Sequence, residues 1–194
     1  CRHDYNSSAG IDGWHPSDLI LLSDRAFALL TKLYGAIEAG AEWPTAVTTT
    51  RAVFLPKDPD NSHFPLAYRI LNISSSIYRR WATMRLRQLG DWVETWDDIA
   101  LNAGVPGKSA TDAWHATALD IEGAQLSGLA LAGGSLDIYK CFDQLNRTLI
   151  FQLAEKAGMP RPILTAHRAF VVGMRSRFQF GRNVGRPTSP PTSI

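Results

Sequence analysis

The sequence predicts a protein of the α/β or α+β class with a single apolar core. Short β-branched segments alternate with amphipathic helical segments, and the connections include a hairpin as well as longer crossovers. The chain has 194 residues, of which 45% are apolar, and this is enough for one sizeable core or two small ones. No run of eighteen or more apolar residues occurs, so we expect no membrane-spanning helix and no membrane partner.

The first half of the chain is predicted to contain a helix, a hairpin and a second helix. Apolar residues recur at helical spacing over residues 19–37, and Gly and Pro follow this segment. Residues 47–55 have the alternation of a strand. A turn-rich loop separates this strand from a return strand over 67–71. A run of serines at 74–76 then precedes a long amphipathic helix over about 77–92.

The second half is predicted to contain three helices and two strands. A loop over 104–107 leads to a helix that Ser109 or Thr111 caps, with Trp114 on its apolar face. The apolar run 128–136 is predicted to be a buried strand. Helices over about 145–156 and 162–172 and a strand over 176–180 follow, before a tail rich in Pro, Ser and Thr.

Basic residues are concentrated in two stretches that contain no acid. Residues 61–90 contain five arginines, and residues 156–194 contain one lysine and six arginines. Phosphate backbones are the usual partners of such stretches, because each neutralised phosphate releases counterions. We therefore expect a nucleic-acid partner. The alternative is ordinary surface charge that pairs with groups elsewhere.

Asp137 is the candidate catalytic residue. It follows the predicted strand over 128–136, which would deliver its carboxylate to a metal site. Phosphoryl transfer by two metal ions requires such carboxylates, because they hold the cations on the attacking and leaving oxygens. Taken alone, an aspartate at the end of a strand more often caps a turn.

Lys57 and Arg69 are the candidate anion-binding residues. They lie on opposite arms of the predicted hairpin, so their side chains are expected to converge. Two converging cations suit a triphosphate, because arginine contacts phosphate oxygens in pairs and lysine supplies a compact charge. The alternative is a surface lysine and a surface arginine without a ligand.

Several stretches, in this order along the chain, resemble the reverse transcriptases of non-LTR retrotransposons and group II introns. Ala9-Gly10-Ile11-Asp12-Gly13 is similar to the Gly-Pro-Asp-Gly loop of that family. Leu55-Pro56-Lys57, with Tyr68-Arg69-Ile70 beyond it, resembles Leu-Pro-Lys and Tyr-Arg-Pro-Ile-Ser, with Ile70 in the place of proline. Residues 104–113 resemble Gly-Phe-x-x-Gly-x-Ser-Thr-x-Asp-Ala, with Val105 in the place of phenylalanine. Residues 137–143 resemble motif A, Asp-x-x-x-x-Phe-Asp.

The resemblance implies an RNA-directed DNA polymerase that extends a DNA primer on an RNA template with dNTPs and two Mg²⁺ ions. It implies that the Asp137 carboxylate and the Ile138 backbone carbonyl bind metal. Lys57 and Arg69 would hold the triphosphate, and Phe142 would lie beneath the sugar and exclude a 2′-hydroxyl. The residues expected to contact nucleic acid are Arg79, Arg80, Lys108 and Ser109.

The resemblance also implies a division of the chain into two polymerase regions. Residues 1–127 correspond to fingers with loops that contact template and dNTP. Residues 128–194 correspond to the start of a palm, truncated before motif B, so we expect a right-hand polymerase fold that is incomplete at both ends. Because one aspartate cannot fix two cations, residues 1–194 alone are expected to be inactive. The expected location is intracellular, and nuclear in a eukaryotic host.

Two alternatives remain open from the sequence. The chain is either an intact polymerase segment or a decayed or domesticated module that binds RNA or scaffolds a complex without catalysis. A group II intron maturase has the same fingers and differs in a downstream RNA-binding thumb. The oligomeric state is not indicated by the sequence.

Overall fold

The computed structural model describes residues 7–57, 67–96, 98, 100–139 and 141–189, except for the side chains of residues 142 and 143. Over these residues the chain has a mixed α/β fold, with one four-stranded sheet and helices that form the apolar core. The predicted mixed class is therefore confirmed. No helix in this part of the chain has the length and apolar character needed to cross a bilayer.

The sheet has the strand order β2-β1-β3-β4. Its strands are β1 (Thr49–Pro56), β2 (Tyr68–Ile73), β3 (Arg175–Phe180) and β4 (Asn183–Thr188). Strands β1 and β2 form the predicted antiparallel hairpin, β3 pairs parallel with β1, and β4 pairs antiparallel with β3. Strand β4 lies in the segment predicted to be an irregular tail. It contains Pro187, which an edge strand tolerates because one side of that strand needs no hydrogen-bond donor.

Helices precede and separate these strands. They are α1 (Asp24–Glu38), α2 (Thr45–Thr48), α3 (Ser76–Gln88), α4 (Gly90–Glu94), α5 (Ala110–Leu126), α6 (Cys141–Gln144), α7 (Arg147–Lys156) and α8 (Arg161–Gly173). Helix α1 begins later than predicted. A short 3-10 helix (Asp18–Leu21) and an extended Leu22 come first, and the Ser23 hydroxyl then accepts the amide of Ala26 as an N-cap.

Aromatic rings form the centre of the core. The Trp43 ring packs edge-on against Tyr78, Trp81 and Phe170 at centroid distances of 5.5, 5.4 and 5.9 Å. The Trp43 indole donates to the Ala166 carbonyl at 2.8 Å, so its buried polar atom is satisfied. Trp81 is only 2% exposed, so it belongs to the core. Trp114, on the face of α5 that is predicted to be apolar, is 67% exposed.

The prediction of a buried strand over 128–136 is wrong. Residues 129–138 form neither helix nor strand, and Leu136 is 98% exposed. This run contains three glycines and no β-branched residue, so its intrinsic preference for a strand is weak. Helix α5 forms as predicted, but none of its residues is buried, so its apolar face does not pack on the described core.

Candidate nucleic-acid interface

One face of the sheet carries most of its charge. Side chains alternate along a strand, and residues paired across strands share a face, so the strand register assigns five cations to one side. We call this side the basic face; its cations are Arg51, Lys57, Arg69, Arg175 and Arg177. No residue of the four strands is acidic. The basic face therefore presents cations without neighbouring strand carboxylates.

Lys57 and Arg69 lie together at one end of this face. Leu55 pairs with Arg69, and the Lys57 amide donates to the Ala67 carbonyl at 2.7 Å, so the pairing extends one residue beyond β1. Lys57 follows Leu55 by two residues and thus points to the same side, diagonal to Arg69. Both side chains are exposed. The hairpin therefore brings the two cations together, and Ile70 continues the strand in register with Phe54.

Arg79 holds the N-terminal loop against the start of α3. Its guanidinium donates to the Ser7 hydroxyl at 3.0 Å, the Ser8 carbonyl at 2.7 Å and the Ser76 hydroxyl at 2.9 Å. Burial lowers the pKa of Arg79, and the charge of Asp12 opposes this change. These hydrogen bonds give Arg79 a positioning role, and contact with nucleic acid stays a prediction for it.

Gly10 allows the N-terminal loop to approach α3 closely. A Cβ atom at this position would lie 2.9 Å from the Cα of Ser75, which is closer than real Cβ contacts. Arg51 donates to the Ala9 carbonyl at 2.9 Å, and the Ser76 hydroxyl donates to the Trp14 carbonyl at 2.6 Å. The glycine loop and the serine-rich start of α3, which are distant in sequence, thus form one contact. The glycine loop 9–13 is recognisable in the sequence, but its contact with α3 is not.

The covered part of the basic face has unmet hydrogen-bonding capacity. The Nε atoms of Arg51 and Arg177 are buried without a hydrogen-bond partner. Arg51 and Arg177 also occupy paired positions on neighbouring strands, where like charges repel. An anion bound beside Arg51 and Arg177 would reduce the repulsion between their charges. This part of the face is therefore chemically suited to a phosphate.

Lys108 and Ser109 stabilise the approach to α5. The Lys108 ammonium donates to the Asp98 carbonyl at 2.7 Å. Ser109 and Asp112 form a capping box, in which the Asp112 carboxylate accepts the Ser109 amide at 2.7 Å. These hydrogen bonds from Ser109 lower the pKa of Asp112. Ser109, one of the two predicted caps, therefore caps α5. Contact of Lys108 and Ser109 with a template stays a prediction.

Arg80 lies on α3 beside a concave surface between α1 and α3. Tyr34, Met84 and Arg87 contribute to the same surface. Burial raises the pKa of Tyr34, and the nearby Arg80 charge opposes that rise. The Tyr34 hydroxyl donates to the Ile77 carbonyl at 2.8 Å. Arg80 is therefore close to the core surface of α1, and its contact with nucleic acid also stays a prediction.

The predicted metal ligands lie outside regular structure. Asp137 and Ile138 belong to the exposed segment 129–138, and Ile138 is 64% exposed. Phe142 lies in α6, and its side chain is outside the described residues. Within the described ranges, no three His, Cys, Asp or Glu side chains are grouped so that they could hold a metal ion. The described residues alone therefore do not fit a two-metal site, and Mg²⁺ binding by Asp137 and Ile138 stays a prediction.

Comparison with known proteins does not identify the chain. No protein-family model matches it, and no curated protein is significantly similar to it. A function is therefore assigned from the residues and their geometry.

Proposed function

We propose that this chain is a fragment of an RNA-directed DNA polymerase, with the fingers and the start of the palm, in which the β1–β2 hairpin binds the triphosphate of the incoming nucleotide. The observation that carries the proposal is the register of the hairpin. It places Lys57 and Arg69 on one face, diagonal to each other and exposed. The order of the sequence stretches that resemble reverse transcriptases supports the same assignment.

The chemistry of the two side chains fits a triphosphate. Arg69 presents a planar fork of donors that contacts two phosphate oxygens at once, and Lys57 adds a compact charge beside it. The strands around them contribute no carboxylate that would compete for the cations. Asp58 and Asp60, which follow Lys57 in sequence, lie outside the described residues.

The remainder of the basic face supports contact with a nucleic-acid backbone. Arg51 and Arg177 occupy paired positions on β1 and β3, and Arg175 is exposed beside them on β3. A template phosphate bound at this part of the face would offset the repulsion between these like charges. The proposal thus assigns the end of the face with Lys57 and Arg69 to the nucleotide and its arginine-rich part to the backbone.

A second candidate function is binding of RNA or nucleotide without catalysis. It is favoured by the position of Asp137 on an exposed segment, because the side chains that the structure describes include no group of carboxylates that could hold metal ions there. For purified residues 1–194 we expect no extension of a DNA primer on an RNA template with Mg²⁺ and dNTPs. Primer extension by this protein would contradict the expectation and would favour a complete catalytic site.

Equilibrium titration with a fluorescent deoxynucleoside triphosphate tests the triphosphate site. We expect Lys57→Gln and Arg69→Gln each to weaken binding by roughly tenfold or more, because a hydrogen bond to a charged group contributes about 1.5–3 kcal/mol. Arg87→Gln is the matched control, since Arg87 is an exposed arginine on α3; it should leave the affinity unchanged. The corresponding monophosphate should bind more weakly, and its affinity should differ less between wild type and the variants. Equal affinities of all four proteins for the triphosphate would overturn the proposal.

A further inference from the structure

Four aromatic side chains meet at one end of the sheet. The Phe54 ring stacks on Phe180 with a centroid distance of 4.4 Å and an interplanar angle of 16°. It also lies 5.7 Å from the ring of Phe178 and packs edge-on against Tyr68 at 6.1 Å. We call these four residues the aromatic tip. The strand register places them on the side of the sheet opposite the basic face.

The aromatic tip is where burial of this side of the sheet ends. Thr50 and Ala52, earlier on β1 and on the same side, are both 0% exposed. Phe178 is 37% exposed and Phe180 is 63% exposed. A stacked pair of phenylalanines thus presents a ring to solvent, although burial of such a ring is normally favourable. This surface is suited to a flat partner that stacks.

Exposed arginines flank the aromatic tip. Arg182 lies in the turn between β3 and β4, and Arg186 lies in an irregular part of β4 opposite Phe178. Residues 178–188 contain two phenylalanines, two arginines and no acid. Aromatic rings interspersed with arginines, without acids, are the combination that binds bases by stacking and phosphates by charge. An apolar protein partner would not require the surrounding cations.

We propose that the aromatic tip binds single-stranded nucleic acid, with bases stacked on Phe180 and Phe178 and phosphates on Arg182 and Arg186. The strand must be unpaired at this point, because bases in a duplex have no free face for a side-chain ring. The inference rests on the proposed function for the class of partner, but it concerns a different surface. The triphosphate site is on the opposite side of the sheet, and it involves neither the aromatic tip nor Arg182 and Arg186.

Fluorescence anisotropy with a labelled single-stranded RNA of about twelve nucleotides tests the proposal. Stacking on an aromatic side chain contributes about 1–3 kcal/mol per base, so we expect Phe180→Ala to weaken binding by roughly 5- to 150-fold. Phe180→Trp should retain the affinity because it retains a ring. Trp114→Ala is the matched control: Trp114 is 67% exposed, on α5, and its removal should have no effect.

A strand of the same length with abasic sugars separates stacking from charge. We expect wild type and Phe180→Ala to bind this strand equally, because it keeps the phosphates and lacks the bases. The Arg182→Gln, Arg186→Gln double variant should weaken the binding of both strands and reduce the salt dependence of binding. Phe180→Leu keeps the apolar side chain, so it serves as the test if Phe180→Ala does not fold. Phe180→Leu should bind the RNA and the abasic strand with more nearly equal affinities than wild type does.

Three outcomes would overturn the proposal. The first is equal RNA affinity of wild type and Phe180→Leu, and the second is equal affinity of wild type for RNA and the abasic strand. The third is loss of a dimer in Phe180→Leu, seen by light scattering, without a change in RNA affinity; the tip would then be a protein interface. The triphosphate titration keeps the two proposals apart, because Phe180→Leu should bind the nucleotide as wild type does, whereas Arg69→Gln should not.

Discussion

The β1–β2 hairpin and the segment 110–139 carry the two halves of the predicted polymerase chemistry, and their structures differ. In the hairpin, backbone groups pair in register from Arg51 with Ile73 to Pro56 with Tyr68, and β3 covers the other edge of β1. Segment 110–139 consists of α5, which buries no residue, and of a stretch without helix or strand that contains Asp137. Both are rich in apolar residues.

The difference shows what a strand requires besides apolar residues. Strand β1 contains threonine, valine and phenylalanine, and it has a partner strand on each side. The run 128–136 has only leucine, alanine, glycine and serine, and the described strands pair with one another rather than with it. Lys57 and Arg69 thus lie on the paired arms of a hairpin, whereas Asp137 lies outside the helices and strands. Substitutions in the packed part of the fold, each with a control in segment 110–139, test this contrast.

Loss of a core tryptophan should have the largest effect. Trp81 is 2% exposed and packs on Trp43, whereas Trp114 is 67% exposed. We expect Trp81→Ala to lower the free energy of unfolding by about 3–5 kcal/mol through the cavity it leaves. Trp114→Ala should change it by less than about 0.5 kcal/mol. Urea unfolding followed by circular dichroism measures both values, and a similar loss in the two variants would mean that α5 packs on the core.

Loss of a partly buried carboxylate should have the next largest effect. Glu38 accepts hydrogen bonds from the Trp81 indole at 2.7 Å and from Arg85 at 2.5 and 2.8 Å. Glu38→Ala leaves these donors without a partner, so we expect a cost of about 1.5–3 kcal/mol. Glu122→Ala, in exposed α5, is the control and should be neutral in the same unfolding assay. A neutral Glu38→Ala would contradict a structural role for this carboxylate.

A methyl group at Gly10 should disturb the N-terminal loop. The added Cβ would lie 2.9 Å from the Cα of Ser75, whereas a Cβ at Gly133 would meet nothing within 4 Å. We expect Gly10→Ala to destabilise the fold by about 1–2 kcal/mol through overpacking. Gly133→Ala should leave the unfolding midpoint within error. Equal midpoints for Gly10→Ala and wild type would show that the loop does not lie against α3.

The smallest effect is a pH dependence due to His167. Its Nδ1 lies 2.8 Å from the Tyr78 hydroxyl, and burial lowers its pKa. The unfolded state therefore binds more protons below about pH 6.5, so stability should fall as pH decreases through that value. Melting temperatures at pH 7.5 and 5.0 should differ less in His167→Gln than in wild type. His115→Gln, on α5, should keep the wild-type difference, and an unchanged difference in His167→Gln would exclude His167 as its source.

The sequence predicted the local elements better than their partners. Helical periodicity and the β-branched run over 47–55 predict α8 and the β1–β2 hairpin to within two residues. Helix α1 begins five residues later than predicted, and the helix predicted over 77–92 is divided into α3 and α4. Strand β4 was missed because Gly185 and Pro187 suggest a loop, and its strand conformation depends on pairing with β3. The strand over 128–136 is predicted from its apolar run before Asp137, but the run has three glycines and no β-branched residue to favour a strand.

The candidate site shows the same limit. Lys57 and Arg69 were found from the sequence because a hairpin forces its two arms together. The buried donors of Arg51 and Arg177 and the stacked rings of Phe54 and Phe180 depend on the parallel pairing of β1 with β3. Residues 51 and 177 are far apart in sequence, so no local pattern indicates that they are neighbours.

Hydrogen exchange of residues 1–194, with and without a deoxynucleoside triphosphate, tests the central contrast most directly. We predict that amides of β1 and β2 are protected without ligand and that exchange near Lys57 and Arg69 slows further when the triphosphate binds. Amides of residues 129–138 should exchange rapidly in both conditions, because they form neither helix nor strand. Protection of 129–138, or a triphosphate that binds without slowing exchange in the hairpin, would contradict the account.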